Sequence, residues 1–253
     1  MQSMPTHQIT QAVILAAGLG TRLRPLTDTC PKPMLPINGT PLLERIIMGL
    51  RAQGITDFVL NLHYLPDVIR SHFGDGSRLG VSIKYSDETG ELLDTAGALK
   101  KMEPLLHDDF LFMYGDQLHA FNFTPVVAVH RAGSAVATVV LKRSKIPTNP
   151  ATADILEFDP VTSRVVGCYP RPHGITALSD VLMKSGGLYV LSKKIVKDIP
   201  VGAPVRFDRD IIPRLVTAGA AVLGFPTEEP ILDIGTAEKY RIAEEWDKKR
   251  RGA

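Results

Sequence analysis

The sequence has little of several features that would place it in a specialised class of protein. Its 253 residues include two cysteines, Cys30 and Cys168, which lie far apart and outside any C-x-x-C spacing. Neither a zinc site nor a disulfide framework is therefore indicated. No run approaches eighteen apolar residues, and residues 1–11 lack the apolar segment of an export signal. A cytoplasmic protein that neither spans nor binds a membrane is expected.

Neither sign of charge dominates the composition. The chain has 29 Lys and Arg residues against 27 Asp and Glu residues, which leaves a formal net charge of +2. A protein so nearly neutral lacks the broad electropositive field that attracts nucleic acid or anionic membranes. An anionic ligand would have to be held by local charge. The basic run at 248–251 is interpreted as a solvated helix end.

Short apolar runs alternate with amphipathic stretches through the first half of the chain. Strands are predicted at 12–16, 58–62, 81–85, 110–114 and 135–141, and helices at 41–53, 66–73 and 125–131. This alternation predicts an α/β fold with a parallel, doubly wound sheet. Ligands of such sheets bind beyond the carboxyl ends of the strands, so chemistry is expected directly after Ala16 and Tyr114.

The pattern changes after about residue 142. Strands predicted at 155–158, 164–169 and 183–191 are separated by loops that contain Pro and Gly, which indicates a mixed sheet covering a site. Helices are predicted at 208–217, with Asp208 as the cap, and at 237–248. We expect a single domain, 1–253, with halves at about 11–141 and 142–253. No hexapeptide repeat follows residue 246, so no β-helix domain is expected.

The strongest motif begins where the first strand ends. Gly18 and Gly20 stand in the segment LAAGLGTRL (15–23), which is followed by PLT (25–27) and PKPMLP (31–36). Glycines let the backbone turn sharply and bring its N–H groups close to phosphate oxygens. Arg22 and Lys32 add charge of the kind that stabilises phosphoryl transfer. The motif lacks the Gly-Lys-Ser/Thr of a P-loop, which argues against that kind of phosphate site. It also lacks the third glycine of a dinucleotide fingerprint, which argues against a nicotinamide-dependent oxidoreductase.

This string resembles the opening motif of the sugar-1-phosphate nucleotidylyltransferases, A-G-x-G-T-R-L followed by P-L-T and P-K-P-x-x-P. The resemblance implies a Rossmann-like, mostly parallel sheet of the nucleotide-diphospho-sugar transferase fold. The first half would bind the nucleotide, and the second half, with the C-terminal helix, would bind the sugar phosphate. Arg22 and Lys32 are implied to be catalytic, because they contact the triphosphate and stabilise the α-phosphorus. The implied nucleotide-binding residues are Leu15, Ala16, Ala17, Gly18, Gly20, Thr21, Thr95, Ala96 and Gly97.

Two aspartates form the second part of the resemblance. Asp116 follows an apolar strand in YGD (114–116), and Asp233 stands in LDIGT (232–236). Two carboxylates suit one Mg²⁺, which prefers oxygen ligands and keeps waters and substrate phosphates in its other positions. By themselves, such residues are also common in turns and helix caps. The family has Gly-Asp and Asp-Ile-Gly-Thr at these places, and the resemblance implies that both aspartates bind Mg²⁺.

A third segment, LLDTAGAL (92–99), resembles the family's L-G-T-A-G segment, whose small residues pack against the nucleotide base. Asp94 stands where the family usually has Gly, and Asp94 or Thr95 could equally cap a helix start. The Thr-Ala-Gly form resembles the mannose- and heptose-1-phosphate guanylyltransferases more than the thymidylyl enzymes. GTP is therefore the favoured nucleotide, and UTP and dTTP remain alternatives.

The acceptor side departs most from the family. Where the family has Glu-Lys-Pro, this chain has Pro170, Arg171 and Pro172, and Ser185 replaces an Asn in the segment before Gly186. Arg171 can still bind a phosphate, although its planar fork is not interchangeable with an ammonium group. Arg171, Ser185 and Gly186 are the expected sugar-phosphate contacts. Because a hydrogen-bonding pocket rejects ligands that leave its groups unpaired, we expect an unusual sugar, heptose-like or cyclitol-like.

The predicted enzyme transfers a nucleoside monophosphate from a nucleoside triphosphate to a sugar 1-phosphate and releases pyrophosphate. Mg²⁺ is the expected cofactor. The two substrates are the expected partners, without nucleic acid, and the sequence leaves a homodimer open. A non-catalytic nucleotide-sugar sensor with the same fold is the alternative of another class. It is supported by the altered acceptor residues and opposed by the presence of Arg22, Lys32, Asp116 and Asp233.

Overall fold

Strands and helices alternate through the first half of the computed structural model, which describes residues 8–143 and 153–252. The strands are β1 (Gln11–Leu15), β2 (Pro36–Ile37), β3 (Thr40–Pro41), β4 (Asp57–Leu62), β5 (Ser82–Asp87), β6 (Asp109–Tyr114), β7 (Gln117–His119), β8 (Ala137–Lys142), β9 (Ile155–Asp159), β10 (Arg164–Tyr169), β11 (Leu182–Ser192), β12 (Val222–Thr227) and β13 (Ile231–Asp233). The helices are α1 (Leu42–Arg51), α2 (Pro66–Phe73), α3 (Asp94–Lys101), α4 (Thr124–Ala132), α5 (Ile212–Thr217) and α6 (Ala237–Arg251).

The central strands are apolar on both faces because helices or loops cover both sides of the sheet. Along β6, Leu111 and Met113 belong to one apolar cluster, whereas Phe110 and Phe112 belong to the other. Successive side chains of a strand point to opposite faces, so a continuous apolar run supplies two core layers. The helix α1 adds an apolar face at helical spacing to the first layer, with Leu42, Leu43, Ile46, Ile47 and Leu50 buried.

Nine strands form one sheet in the order β5-β4-β1-β6-β11-β8-β12-β10-β9. The strands β5, β4, β1 and β6 are parallel, and β1 lies between β4 and β6. The chain thus leaves β1 toward β4 on one side and later returns to β6 on the other, which creates a crevice at their carboxyl ends. Leu15 pairs with Tyr114, so the loops after β1 and β6 emerge side by side.

The second half of the chain completes the same sheet in mixed orientation. The strand β11 lies antiparallel between β6 and β8, while β8 and β12 are parallel. The predicted Rossmann-like doubly wound sheet with a mixed portion is confirmed. One placement was not foreseen: β8, from the first half, lies beyond β11, so the two halves interlock within one sheet.

Three local predictions need correction. The segment predicted as a helix from Asp208 begins with a π-helical turn at Phe207–Ile211, and the capping position is Arg206. Asp208 does not cap it, because its carboxylate accepts hydrogen bonds from two tyrosine hydroxyls. Neither Asp94 nor Thr95 caps α3, which has Leu93 at that position without a side-chain cap.

No helix within residues 8–143 and 153–252 has the length and apolar character needed to cross a membrane.

Candidate active site

A cleft of about 1170 Å³ opens at the carboxyl edge of the sheet, beside the ends of β1 and β6. Residues from both halves of the chain line it, because β11 places the second half next to β6. The predicted site residues on its wall are Leu15, Ala17, Gly18, Arg22, Lys32, Thr95, Asp116, Arg171, Ser185, Gly186 and Asp233. Residues as far apart in the sequence as Leu15 and Asp233 therefore meet at one cavity.

The loop after β1 contains two glycines with different structural needs. Gly20 has φ +63°, in the left-handed region, and a methyl group there would come within 2.9 Å of the Thr27 side chain. The Thr27 hydroxyl also donates to the Gly20 carbonyl at 2.8 Å. Gly18 is exposed, has no left-handed φ, and a methyl group there would meet no protein atom within 4 Å. Gly20 is thus required by the fold, whereas no contact among the described residues requires Gly18.

This contrast predicts different effects of alanine at the two positions. Gly18→Ala should keep the free energy of unfolding within about 0.5 kcal/mol of wild type, as for an ordinary surface substitution. If a phosphate approaches the backbone at Gly18, the same variant should raise KM for the nucleotide roughly tenfold or more, since tenfold corresponds to only about 1.4 kcal/mol. Gly20→Ala should instead lose about 1–2 kcal/mol of stability, because alanine strains left-handed backbone.

Both predictions are checked by urea denaturation, which gives the free energy of unfolding, and by initial rates at varied nucleotide concentration, which give KM. Each variant serves as the control for the other. Wild-type KM in a stably folded Gly18→Ala protein would contradict a ligand-facing role for Gly18.

Three of the predicted nucleotide-binding residues lie outside the cleft wall. Gly20 and Thr21 lie where the loop turns away, and Ala16 is buried behind it. The Ala16 amide donates to the Asn61 Oδ1 atom at 2.7 Å, which ties the start of the loop to β4. That these three residues contact the nucleotide stays a prediction. They shape the loop that presents Leu15, Ala17 and Gly18.

Both predicted cations face the carboxylates of the cleft. Lys32 is nearly buried, and its Nζ atom lies 2.5 Å from Asp116 Oδ2. Arg22 is exposed at the mouth of the cleft, where a methyl group on Gly235 would come within 3.0 Å of its Nη2 atom. The Arg22 guanidinium therefore lies against the backbone that follows Asp233. The long loop from β1 thus crosses the cleft to the two aspartates.

A short antiparallel ribbon brings the two aspartates together. Asp233 pairs in register with Gln117, the residue after Asp116, and the amide of Ile234 donates to the Asp116 carbonyl at 3.0 Å. Asp233 Oδ2 accepts from Lys239 Nζ at 2.6 Å. Burial acts to raise the pKa of Asp233, but the hydrogen bond and charge of Lys239 outweigh it, and the pKa is lowered. Both carboxylates are therefore held beside cations.

This donor set fits a magnesium ion that relies on substrate for most of its ligands. The described residues contain no cluster of three or more His, Cys, Asp or Glu side chains that could enclose a metal. Mg²⁺ commonly uses one or two carboxylates together with waters and substrate phosphates. Asp116 and Asp233 each hold an ammonium group at hydrogen-bond distance, so each carboxylate already stabilises a positive charge.

The segment predicted to contact the base has one residue on the cleft wall and two beneath it. Thr95 lines the cleft, and its hydroxyl accepts from the Phe207 amide at 2.7 Å. Ala96 and Gly97 are buried, and both amides donate to the Val205 carbonyl. A methyl group on Gly97 would come within 2.3 Å of the neighbouring backbone carbonyl at Ala203. These small residues pack α3 against the second half, and their contact with the nucleotide stays a prediction.

Asp94 has φ +57°, the left-handed conformation that glycine adopts without strain. This conformation explains why related sequences can have Gly at this position. Aspartate tolerates it better than most residues because its short side chain hydrogen-bonds locally. Here Asp94 Oδ1 accepts from the Thr95 amide at 2.7 Å, and Oδ2 pairs with Arg206 Nε at 2.9 Å. The departure from Gly therefore preserves the local backbone and adds an ion pair to the cleft rim.

Sequence reasoning missed the hydrogen bonds by which Asn61 and Glu88 connect the loop after β1 to the segment before α3. Asn61 Nδ2 donates to Glu88 Oε1 at 2.9 Å, while Glu88 Oε2 accepts from the Leu93 amide at 3.2 Å. Burial raises the pKa of Glu88, although these donors act against the shift. The signal available in the sequence was a polar residue, Asn61, at the end of an otherwise apolar strand.

On the acceptor side, Arg171 is anchored by Asp154. The Arg171 amide donates to Asp154 Oδ1 at 2.9 Å, and its Nη2 atom lies 3.3 Å from Asp154 Oδ2. Arg209 pairs with the same carboxylate at 3.4 Å. The charge of Arg171 is thus shared with Asp154 while its side chain remains on the cleft wall.

A carboxylate that sequence analysis treated as a helix cap also faces the acceptor side. Asp208 lines the cleft and accepts hydrogen bonds from the Tyr114 and Tyr189 hydroxyls. Ser185 Oγ lies 2.7 Å from the Tyr189 hydroxyl and extends this network to a predicted sugar contact. Burial raises the pKa of Asp208, against the opposing effect of the two tyrosine hydrogen bonds. The network offers fixed donors and acceptors for the hydroxyls of a ligand.

Residues 11–250 match the family described as nucleotidyl transferases. A UTP–glucose-1-phosphate uridylyltransferase of Synechocystis sp. is 32% identical over 241 residues, which is 91% of this chain and 61% of that protein. The chain therefore spans less than two thirds of that relative. A D-glycero-alpha-D-manno-heptose 1-phosphate guanylyltransferase of Campylobacter jejuni is 30% identical over 230 residues, which is 91% of this chain and 96% of that protein.

Solved structures are similar to this chain over almost its whole length. The crystal structure of HddC from Yersinia pseudotuberculosis superposes with a TM-score of 0.76 and 26% identity, covering 94% of this chain and all of that one. HddC has also been solved as a complex with GMP-PN, and that structure superposes with a TM-score of 0.75. The sheet described above, including the interlocked second half, is thus a fold that solved structures share.

Proposed function

The chain belongs to the nucleotidyl transferase family, and from that premise we propose that it is a sugar-1-phosphate nucleotidylyltransferase. It would join a nucleoside monophosphate, taken from a nucleoside triphosphate, to a sugar 1-phosphate and release pyrophosphate. The observation that carries this proposal is the convergence of Arg22 and Lys32 with Asp116 and Asp233 in one cleft. Cations and carboxylates in this arrangement can neutralise a polyphosphate and hold its counterion.

The reaction requires alignment and charge stabilisation rather than a nucleophilic side chain. An oxygen of the sugar phosphate attacks the α-phosphorus, a new P–O bond forms, and the bond to the pyrophosphate oxygen breaks. Gly18 and its neighbours would hold the phosphates through backbone N–H groups, while Arg22 and Lys32 would stabilise negative charge on the transferring group. Fixing both substrates in one cleft also removes much of the entropic barrier to their encounter.

Asp116 and Asp233 would hold a Mg²⁺ ion between them and the substrate phosphates. When bound, Mg²⁺ supplies Lewis-acid stabilisation of phosphoryl oxygens without any proton transfer. Lys32 and Lys239 pair with these carboxylates, which keeps both ammonium groups in the cleft, where they would contact substrate phosphate. The aspartates thus have two roles, because they orient the lysines before substrate binds and provide oxygen ligands afterwards.

GTP is the nucleotide we favour. Its support is that the Campylobacter jejuni relative, which this chain covers almost completely, is named a guanylyltransferase, and that HddC was solved with GMP-PN. A specific observation also favours UTP as a second candidate, because the Synechocystis relative is a uridylyltransferase at 32% identity. The acceptor we favour is a heptose-like or related sugar 1-phosphate, which would contact Arg171, Ser185, Gly186 and Asp208.

A substrate grid tests this proposal. Pyrophosphate release is measured with GTP, UTP, dTTP, ATP and CTP against hexose, heptose and cyclitol 1-phosphates, with Mg²⁺ and with acceptor-free controls. The expected result is release that depends on both substrates and is fastest with GTP and a heptose-type acceptor, whereas fastest release with mannose 1-phosphate would contradict the acceptor assignment. Fastest release with UTP would replace the guanylyl assignment by the uridylyl one. No release in any pair, with nucleotide-sugar binding intact, would contradict the enzyme and favour a sensor.

A further inference from the structure

Two lysines face each other across neighbouring strands on the acceptor side of the cleft. Lys142 ends β8, Lys184 lies near the start of β11, and the two residues are direct partners in the antiparallel register. Both line the cleft. Side chains of directly opposed residues lie on the same face of a sheet, and like charges in such a pair destabilise it. A like-charge pair on a cavity wall is stabilised if an anion lies between the two ammonium groups.

The two lysines differ in how their charges are compensated. Lys142 donates to the carbonyl of Ile231 at 2.6 Å, which fixes its ammonium group but leaves its charge uncompensated by a carboxylate. Within residues 8–143 and 153–252, the Lys184 ammonium makes neither a hydrogen bond nor an ion pair. The other lysines of the cleft, Lys32 and Lys239, are each paired with an aspartate. Lys184 is therefore the lysine of the cleft wall that is available to a ligand.

The surroundings of the pair indicate which anion it would hold. Lys142 feels the charge of Asp233, and Lys184 feels that of Lys239, the partner of Asp233. Burial, and then the charge of Lys239, lower the pKa of Lys184. The pair thus lies near the carboxylate that we assign to the metal, since Lys142 also contacts Ile231 of the same strand. A phosphate at this position would lie next to the reacting centre and on the acceptor side.

Gly186 makes room for this arrangement. A methyl group on Gly186 would come within 2.8 Å of the Val140 carbonyl, 3.2 Å of the Ile231 side chain and 3.5 Å of the Lys142 stem. Its small size lets β11 approach β8 and the ribbon that carries Asp233. The predicted sugar contact at Gly186 therefore acts by positioning the neighbouring lysines.

We infer that Lys184, together with Lys142, binds the phosphate group of the acceptor, and this inference rests on the proposed function. Arg171 shares its charge with Asp154 and borders the same pocket on the side of the sugar. The resemblance to the family assigned the acceptor phosphate to Arg171, so the inference moves the main phosphate contact from the loop after β10 to β11. The pair of lysines carries the less compensated positive charge, because no carboxylate of the described residues contacts either ammonium group.

The first experiment tests the anion site without turnover. The folded protein is reductively methylated with and without inorganic phosphate, and the modification of each lysine is measured by mass spectrometry. Phosphate is expected to slow the methylation of Lys184 severalfold and to leave Lys197 unaffected. Lys197 is an exposed lysine beyond the far end of β11 and serves as the internal control. Equal methylation of Lys184 with and without phosphate would overturn the inference, whether or not the substrate grid shows turnover.

The second experiment assigns the anion, using the substrate pair with the highest turnover in the grid. Lys184→Met is expected to raise KM for the sugar 1-phosphate roughly 10- to 100-fold, the range for a lost charge-assisted hydrogen bond, with KM for the nucleotide within about twofold. Lys184→Arg should recover part of the loss, and Lys197→Met should match wild type. A larger change in KM for the nucleotide than for the acceptor would overturn the assignment to the acceptor.

Thermal unfolding separates a binding role from a structural one. Removing one charge of an opposed like-charge pair should leave the unliganded Lys184→Met protein at least as stable as wild type. A clear loss of stability in the unliganded variant would instead identify Lys184 as a structural residue and overturn the inference. Detectable turnover by wild type together with unprotected Lys184 would leave the proposed function intact and refute only this site.

Discussion

Replacing Asp233 by asparagine is expected to lower the maximal rate of pyrophosphate release on the order of a hundredfold, the effect typical of losing one electrostatic contact to a transition state. Asparagine keeps the size of the side chain but loses the negative charge that would hold Mg²⁺. It also releases Lys239, which Asp233 now fixes at 2.6 Å. Initial rates at saturating concentrations of both substrates, measured over a Mg²⁺ titration, check this prediction.

The same substitution should have little effect on folding. The side chain of Asp233 is 39% exposed and that of Lys239 is 49% exposed, and ion pairs of this kind contribute about 0–1 kcal/mol. Asp180→Asn removes an equal charge from a carboxylate that is 89% exposed, so it is the matched control and should keep wild-type rates. Wild-type turnover and wild-type Mg²⁺ dependence in a folded Asp233→Asn protein would contradict the assignment of Asp233 to the metal.

The first half of the fold could be predicted from sequence because its signals are local. The apolar runs of β1, β4 and β6 are strong enough to identify parallel strands, and the glycine loop begins where the first of them ends. The carboxyl ends of neighbouring parallel strands meet at one edge, so the position of Asp116 at the cleft followed from its position in the chain. For these strands, the local sequence pattern and the order of strands in the sheet indicate the same position for the cleft.

The acceptor side could not be predicted because it depends on register between distant strands. Asp208 lies 94 residues after Tyr114 in the sequence, and their hydrogen bond exists because β11 inserts beside β6. The pairing of Lys142 with Lys184 depends on the same insertion. No periodicity in the sequence encodes which residue of β8 opposes which residue of β11. The sequence therefore shows that these polar residues are present, but it does not show that they lie together at one site.

Small residues are also ambiguous in the sequence, because packing and ligand contact require the same side chains. Gly97 was assigned to the nucleotide, yet its missing side chain allows α3 to approach the backbone at Ala203. Gly18, in a similar sequence context, makes no such approach. The space around each α-carbon, which only the structure shows, decides between the two explanations.

The C-terminal helix α6 is held in place by a buried carboxylate, and this gives the largest expected effect on stability. Asp247 has a side chain that is 1% exposed and pairs with Arg45 at 3.1 Å and with Arg251 at 3.1 Å. It also accepts from Asn38 at 2.9 Å, so it joins α6 to α1 and to the turn between β2 and β3. Asp247→Ala would leave Arg45, which is 9% exposed, without its carboxylate.

Breaking a buried pair by removing one partner costs about 3–5 kcal/mol, so Asp247→Ala is expected to lower the free energy of unfolding by that amount. Urea denaturation with an unchanged slope and a lower midpoint would measure it. Glu245→Ala, on the same helix, removes an exposed partner of Arg241 and should cost about 0–1 kcal/mol, which makes it the matched control. Because α6 begins shortly after β13, which ends at Asp233, the variant should also lose activity at temperatures below its global unfolding transition. Equal midpoints for the two variants would show that Asp247 does not fix the helix.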